Sequence, residues 1–323
     1  MIPRALQGLL IGFLTAAVIS GCASKQEGIK SVSQEGQKVQ VVTSFYPMYE
    51  FTRQVGGDKV EVTNLVPPGS EPHDWEPSPQ DMVKVGKARL LVYNGGGFEG
   101  WIEKVSQAGN NPNLLLVDTS KGIEMLPSEM SEDAEHGQDE EHSHQHGKYD
   151  PHFWLDPNLV KIQVENVKKA LVNVDPDNKD YYEANAKAYQ EKLDQIDREF
   201  KEVMSKTQSK ELITTHSAFG YLAHRYGLHQ VSIMGISPEA EPKPAELARI
   251  AEYARNHEVK YIFFETLVSP KVGEALAREV KAETLVLNPI EGLTEDEQKR
   301  GLDYVAVMKQ NLENLKKALG YQP

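Results

Sequence analysis

The chain is poor in cysteine and in positive charge. Its 323 residues contain a single cysteine, Cys22, so an intramolecular disulfide is excluded and no pair of thiolates can bind a metal. The formal net charge is −13, which argues against nucleic-acid binding because the phosphate backbone requires a basic surface. Neither His-Glu-x-x-His nor Cys-x-x-Cys occurs, so no local motif fixes the geometry of a metal site.

The amino-terminal segment lacks the length of a membrane span. Its apolar run covers residues 9–19, whereas a spanning helix needs about 20 residues, and it suits the apolar part of a secretion signal. Cys22 directly follows a Ser-Gly pair, which resembles a bacterial lipobox. We therefore predict a lipoprotein signal over residues 1–22, acylation of Cys22 and a flexible tether over residues 23–38. The alternative is an uncleaved anchor with an incidental cysteine.

Short apolar segments then alternate with amphipathic ones. The first half contains the strand candidates VQVVTSF, VEVTNLV, RLLVYNG and NLLLVD, and the second half contains ELITTH, HQVSIM, VKYIFFE and ETLVLNP. Helical patterns separate them. This alternation predicts an α/β fold with two lobes, each a mostly parallel sheet flanked by helices. We place the lobes at residues 39–174 and 209–323.

Residues 175–208 connect the two lobes. Apolar and aromatic residues recur there at steps of three and four: Tyr182, Ala186, Tyr189, Leu193, Ile196, Phe200 and Val203. The pattern predicts one helix of roughly 28 residues, about 42 Å long. A coiled-coil segment is the alternative, but the pattern is too short to require one.

Residues 129–148 form an acidic, histidine-rich segment. They contain seven carboxylates, one lysine and hardly any apolar side chain, so we expect a mobile loop without a core. Its imidazoles suit a divalent metal such as zinc, which favours a weak auxiliary metal loop over an inert acidic one. These histidines are His136, His142, His144 and His146.

Six histidines lie outside that loop. His73, His152 and His216 follow, or lie near, the carboxyl ends of predicted strands. Ligands bind beyond those ends in open α/β sheets, so these three are the candidate metal ligands. The others fall within or at the ends of predicted elements, where packing or capping roles are expected: His224, His229 and His257.

A carboxylate is needed to balance a divalent ion beside three imidazoles. Glu291 follows the strand candidate ETLVLNP, and Glu265 directly follows VKYIFFE. Both therefore lie at the carboxyl end of a strand, and spacing alone does not decide between them. Three imidazoles and one carboxylate together suit an ion of the zinc type.

Four separated motifs resemble those of zinc-binding solute receptors of bacterial ABC importers, a metal-specific group that also includes manganese receptors. In order, they are PPGSEPHDWEPSP, DPHFWLDP, TTHSAFGYLAHRYG and LNPIEGLTEDEQ. The resemblance extends from about Val39 to Leu319. The acidic histidine segment just before DPHFWLDP also resembles the zinc members.

Carried over motif by motif, the resemblance implies that His73, His152 and His216 are imidazole ligands and that Glu291 is the carboxylate ligand. Many relatives have aspartate in a different local sequence at that fourth position. Manganese receptors commonly have a carboxylate where this chain has His216, and imidazole favours zinc over manganese.

The resemblance further implies two α/β lobes bridged by one long, rigid helix, with limited closure on binding. It implies a monomeric receptor held at the cell membrane by its lipid, which captures zinc outside the cytoplasm and delivers it to an ABC permease and its ATPase. No enzymatic activity is expected, because four protein ligands leave no metal position for a reactive water.

Three aspartates flank the candidate histidines: Asp74, Asp150 and Asp156. Each could orient an imidazole by accepting its second N–H, or could cap a turn at an Asp-Pro step, and the sequence leaves both roles open.

Three other functions stay open at this point. A manganese or other divalent-metal receptor would share the fold. An exported zinc hydrolase would need an open metal position and a general base, for which Glu265 is the candidate. Adhesion has been described for some members of the family, and binding to a host or matrix protein that survives mutation of the metal ligands would support it.

Overall fold

The structure, a computed structural model, describes residues 38–107, 111–128, 148–238 and 242–323. Its strands are β1 Val39–Thr43, β2 Val60–Asn64, β3 Leu90–Tyr93, β4 Leu115–Asp118, β5 Glu211–Thr214, β6 His229–Ser232, β7 Tyr261–Phe264 and β8 Glu283–Val286. Its α-helices are α1 Tyr46–Gly56, α2 Pro79–Lys87, α3 Ile102–Gln107, α4 Pro157–Val174, α5 Lys179–Met204, α6 Gly220–Tyr226, α7 Pro244–Asn256, α8 Lys271–Val280, α9 Glu295–Lys299 and α10 Tyr304–Ala318.

The strands form two four-stranded sheets with the same topology. Their orders are β2-β1-β3-β4 and β6-β5-β7-β8, and all paired neighbours are parallel. Helices flank both sheets, so the predicted α/β fold class is confirmed. In each sheet the strand order reverses beside the first strand of the set, and a crevice forms at the carboxyl ends there.

The long helix α5 lies between the two sheets in the chain. It has 26 residues and is therefore about 39 Å long at ~1.5 Å per residue. All seven of the residues that predicted it are buried. They belong to one continuous apolar cluster that also contains side chains of both lobes, such as Phe51 of α1 and Leu315 of α10. The helix thus joins the lobes through a shared core rather than through an exposed linker.

Helix α4 was not predicted from the sequence. Its signals are present: Asp156 accepts a hydrogen bond from the Asn158 N–H as the N-cap, and Pro157 occupies the first turn. Val160, Val164 and other apolar residues at helical spacing are buried. This helix packs against α5 and connects the DPHFWLDP segment to the shared core.

Several predicted features lie outside the described residues. They are the signal 1–22 with Cys22, nearly all of the tether 23–38, and the loop histidines His136, His142, His144 and His146. Over the part of the chain that the structure describes, no helix combines the length and the apolar character needed to cross a membrane.

Candidate metal centre

His73 lies in the proline-rich loop after β2. Glu71, two residues earlier, accepts a hydrogen bond from the His73 backbone N–H at 2.8 Å through Oε1. The turn that results fixes the backbone of the loop at this point. The His73 ring packs edge-on against Phe98, with 4.9 Å between ring centroids, and its side chain is only 7% exposed.

His152 is fully buried in the segment before α4. One carboxylate oxygen of Asp150 accepts two hydrogen bonds from it, from the backbone N–H at 2.9 Å and from ring Nδ1 at 2.7 Å. An Nδ1–H donor leaves Nε2 as the nitrogen with a free lone pair. Asp150 therefore sets both the direction of the ring and the nitrogen that it offers.

His216 follows β5 by two residues and is also fully buried. Glu265 directly follows β7, the neighbour of β5 in the sheet. Its Oε1 accepts the His216 backbone N–H at 3.0 Å, and its Oε2 lies 2.5 Å from ring Nδ1. Because the carboxyl ends of parallel neighbours share one edge of a sheet, the fold brings this pair together. His216, like His152, then presents Nε2.

Glu291 lies in a loop whose backbone is held in an unusual conformation. Ile290, just before it, has a φ of +60°, which is rare for a β-branched residue. The Ile290 N–H donates to Asn288 Oδ1 at 2.7 Å, and the Asn288 N–H donates to Asn311 Oδ1 at 2.9 Å. The indole N–H of Trp154 donates to the Pro289 carbonyl at 2.7 Å. These bonds hold the strained turn that directs Glu291 inward.

The four side chains converge on one point. Glu291 Oε1 lies 3.2 Å from His73 Nε2 and 3.3 Å from Nε2 of both His152 and His216. His73 Nε2 and His152 Nε2 are 3.2 Å apart. Ligand atoms about 2.0–2.1 Å from a tetrahedral zinc ion are separated by about 3.3–3.4 Å. The cluster thus has the donor atoms and the spacing of a tetrahedral zinc site.

Electrostatics prepare this cluster for a cation. Burial lowers the pKa of His73, so that ring is neutral near pH 7. Burial also opposes charge on His152 and His216, but Asp150 raises the pKa of the first, and Glu265 with Glu291 raises that of the second. The neighbouring carboxylates therefore favour positive charge at these two rings. A dication would supply that positive charge.

Burial disfavours the charged carboxylate of Glu291 and by itself would raise its pKa. His216 and His73 outweigh that effect and hold the pKa of Glu291 well below its usual range. Aromatic rings line the other side of the site, with Trp154 centred 5.1 Å and Phe98 6.4 Å from the His152 ring. An apolar wall of this kind excludes water and strengthens the attraction between the ligands and a cation.

Among the described residues, one group of three or more His, Cys, Asp or Glu side chains could hold a metal, and it consists of His73, His152, His216 and Glu291. The structure thus brings together the four residues that the resemblance implied. Glu265 and Asp150 are not in this group and instead contact the Nδ1 atoms of His216 and His152, respectively. The other described histidines are exposed and lie elsewhere: His224, His229 and His257.

The three flanking aspartates have different roles. Asp150 orients His152. Asp156 caps α4 and lies 3.1 Å from the Arg225 side chain, so capping rather than imidazole orientation is its role. Asp74 is exposed.

Sequence reasoning missed Glu71. Its Oε2 is buried and has no hydrogen-bond donor among the described residues. Burial first, and then the nearby Glu291 carboxylate, raise the pKa of Glu71 to about 9. The signal available was a glutamate two residues before a candidate ligand in a proline-rich loop, and that pattern alone does not distinguish a buried carboxylate from a solvated one.

Comparisons with known proteins agree with this chemistry. The family profile described as zinc-uptake complex component A, periplasmic, matches residues 41–318. The high-affinity zinc uptake system protein ZnuA of Bacillus subtilis (strain 168) is 44% identical over 323 residues, which cover 97% of either chain. The zinc-binding lipoprotein AdcA of Streptococcus pneumoniae (strain ATCC BAA-255 / R6) is 38% identical over 308 residues, and the match spans 95% of this chain but 60% of AdcA.

A solved structure resembles the whole described fold. The crystal structure of the Zn(II)-bound ZnuA-like domain of Streptococcus pneumoniae AdcA superposes with a TM-score of 0.74 and is 37% identical. The superposition covers 88% of this chain and 99% of that one. The sequence similarity and the shared fold therefore cover the same two lobes.

Proposed function

The chain belongs to the zinc-uptake complex component A family, and from that premise we propose that it is an extracytoplasmic receptor that captures zinc and delivers it to an ABC permease for import. The observation that carries the proposal is the convergence of three imidazole nitrogens on one carboxylate oxygen, at 3.2–3.3 Å. That spacing suits zinc without rearrangement of the protein.

His73, His152, His216 and Glu291 are the proposed zinc ligands. Two of the imidazoles have a carboxylate at Nδ1: Asp150 is hydrogen-bonded to His152 Nδ1, and Glu265 Oε2 lies 2.5 Å from His216 Nδ1. Such outer carboxylates fix ring orientation and raise the basicity of the ligand nitrogen. The rings of His152 and His216 are thus oriented toward the zinc position before the ion binds.

The donor set favours zinc over manganese. Manganese prefers oxygen donors, whereas three of these four donors are imidazole nitrogens. His216 decides the balance, because a carboxylate at that position would give a site of two nitrogens and two oxygen donors. The manganese-receptor alternative therefore has less support than the zinc receptor.

Capture, not catalysis, is the proposed chemistry. Four protein donors complete the tetrahedral shell, so no ligand position is left for a reactive water. Glu265, the base that a hydrolase would need, is held against His216 by both of its oxygens. It cannot also accept a proton from a substrate water without releasing that histidine.

The cellular setting is part of the proposal. Acylation of Cys22 would hold a monomeric receptor outside the cytoplasmic membrane, close to the permease and the ATPase that drives import. A tether of the proposed length, residues 23–38, separates that lipid from β1.

A competitive titration of zinc and manganese against the chain from residue 23 onward tests the function. We expect one tight zinc site that manganese does not displace. The variant His216→Glu should weaken zinc binding by about 100-fold or more, since loss of an outer partner alone weakens binding about 10- to 100-fold. The matched control His224→Glu makes the same change at an exposed histidine and should leave the affinity unchanged. Preference for manganese, or equal effects of the two variants, would overturn the proposal.

A further inference from the structure

Helix α6 of the second lobe contacts Asp150, the carboxylate that orients His152 in the first lobe. The helix begins at Gly220, four residues after His216. Residues 216–220 therefore contain the proposed ligand His216 and also contact Asp150, the carboxylate bonded to the proposed ligand His152 of the other lobe. Gly220 and its neighbour Tyr221 are neither proposed zinc ligands nor carboxylates that contact a ligand.

Gly220 lies against the Asp150 side chain. A Cβ built on Gly220 would overlap Asp150 Oδ2, at a separation that real Cβ atoms do not show. Asp150 is 4% exposed and has its other oxygen committed to the two His152 N–H groups. The carboxylate therefore cannot step aside without disturbing those bonds, and glycine is the residue that permits its position.

Tyr221 forms hydrogen bonds with the backbone of Asp150 and with that of Leu126, which pairs with Asp150. Its hydroxyl donates to the Asp150 carbonyl at 2.9 Å and accepts from the Leu126 N–H at 2.9 Å. The Asp150 N–H in turn donates to the Leu126 carbonyl at 2.9 Å. The ring packs edge-on against Phe153, with centroids 6.0 Å apart. Contacts from Tyr221 of the second lobe thus fix the position of segment 150–153, which contains His152.

We propose that Gly220 and Tyr221 are positioning residues for zinc, which act through Asp150 on the orientation of His152. The proposal rests on the zinc-receptor function proposed above. Its consequence is that the two lobes do not supply their ligands independently. Displacing the start of α6 would alter His152 as well as His216, so a small shift between the lobes would release two ligands together.

Zinc titration of Gly220→Ala in the chain from residue 23 onward tests the proposal. The added methyl group must displace Asp150, and we expect zinc affinity to fall about 10- to 100-fold, the range for loss of an outer partner. Gly86→Ala is the matched control, because it adds the same methyl group within α2, where a Cβ meets no atom within 4 Å. It should bind zinc like the wild type.

A double-mutant cycle separates action through Asp150 from a general structural effect. Asp150→Ala by itself should weaken zinc binding, and in that background Gly220→Ala should have no further effect, because the clashing carboxylate is gone. Additive losses of affinity would overturn the proposal. Wild-type affinity in the single Gly220→Ala variant would overturn it too.

Tyr221→Phe decides the matter if Gly220→Ala does not fold. It removes one hydroxyl and two hydrogen bonds, which should weaken zinc binding by about 3- to 10-fold. Tyr253→Phe, which removes a hydroxyl bonded to Glu211 far along the second sheet, should not. A zinc affinity of Tyr221→Phe equal to that of the wild type would refute the proposal that Tyr221 positions His152. Tight zinc binding by the wild type, lost in His152→Ala, would still support the receptor function in that case.

Discussion

His216 and Glu265 come from the ends of neighbouring strands and form a double contact at one edge of the second sheet. The carboxylate accepts the His216 backbone N–H at 3.0 Å and lies 2.5 Å from its ring Nδ1. Thr215, the residue between β5 and His216, donates its hydroxyl to the same carboxylate. Glu265 is thus the partner that holds a proposed ligand rather than a ligand itself.

Glu265→Gln keeps the shape of the side chain but removes the charge that raises the basicity of His216. We expect zinc affinity to fall about 10- to 100-fold, measured by competition with a chromophoric chelator. Glu252→Gln, the same change on the exposed face of α7, is the control. An unchanged affinity in Glu265→Gln would show that the contact does not support zinc binding.

Zinc affinity should fall as the pH falls, and the fall should begin above the ordinary histidine pKa of about 6.5. Burial opposes charge on His152 and His216, but the neighbouring carboxylates outweigh it and raise the pKa of both rings, so zinc competes with protons at a higher pH than at exposed histidines. Calorimetry in buffers of different ionisation enthalpy would measure the released protons. Binding without proton release at pH 7 would contradict this account.

Glu71→Gln should stabilise the metal-free protein at alkaline pH. The folded chain raises the pKa of Glu71 from 4.5 to about 9, so between these values the folded state retains a proton that the unfolded state releases. Stability is therefore lost as the pH rises through that window, and the loss is absent from the glutamine variant. Thermal unfolding in the presence of a chelator should show similar Tm values near pH 4.5 and a higher Tm for the variant near pH 9.

A control for the Glu71 experiment lies on the surface. Glu103→Gln removes an exposed carboxylate of α3 and should not change the pH dependence of Tm. If both variants shift Tm equally at pH 9, burial of Glu71 is not the cause.

Deletion of residues 129–147 should leave the tight zinc site intact. The Ser128 N–H donates to the Lys148 carbonyl at 3.1 Å, and Pro127 pairs with Tyr149 in an antiparallel bridge, so an Asn-Gly turn can join the two ends. Isothermal titration should retain one tight site and lose the weaker binding that we predict for the histidines of that segment. Loss of the tight site would mean that the segment contributes a ligand.

The alternation of strands and helices, and therefore the α/β class, could be predicted from the sequence because it depends on local periodicity. The same holds for α5, whose seven predicted core residues are all buried. Helix α4 shows the limit: its apolar spacing is present in the sequence, but its N-cap Asp156 and Pro157 form an Asp-Pro step that also fits a turn. His73 and His216 could be selected because they follow β2 and β5, but the strand-end argument was wrong for His152, which lies just before α4 and 34 residues after β4.

The choice among carboxylates was decided by tertiary structure. Glu265 and Glu291 both follow apolar strands, and periodicity does not separate them. Glu265 follows β7 directly, beside β5, and therefore meets the outer nitrogen of His216. Glu291 lies beyond a strained turn at Ile290 and reaches His73, which is 218 residues earlier in the chain.

By itself the sequence determined the alternation of strands and helices and the residues that could bind zinc, because these properties depend on side-chain chemistry and on neighbours within a few positions. The tertiary structure alone decided that the Oε2 atom of Glu71 is buried, that Asp150 rather than Asp156 orients an imidazole, and that α6 reaches across to Asp150. Each of these depends on separations of about 3 Å between atoms of distant segments, and such separations arise only when the two lobes pack around their shared core.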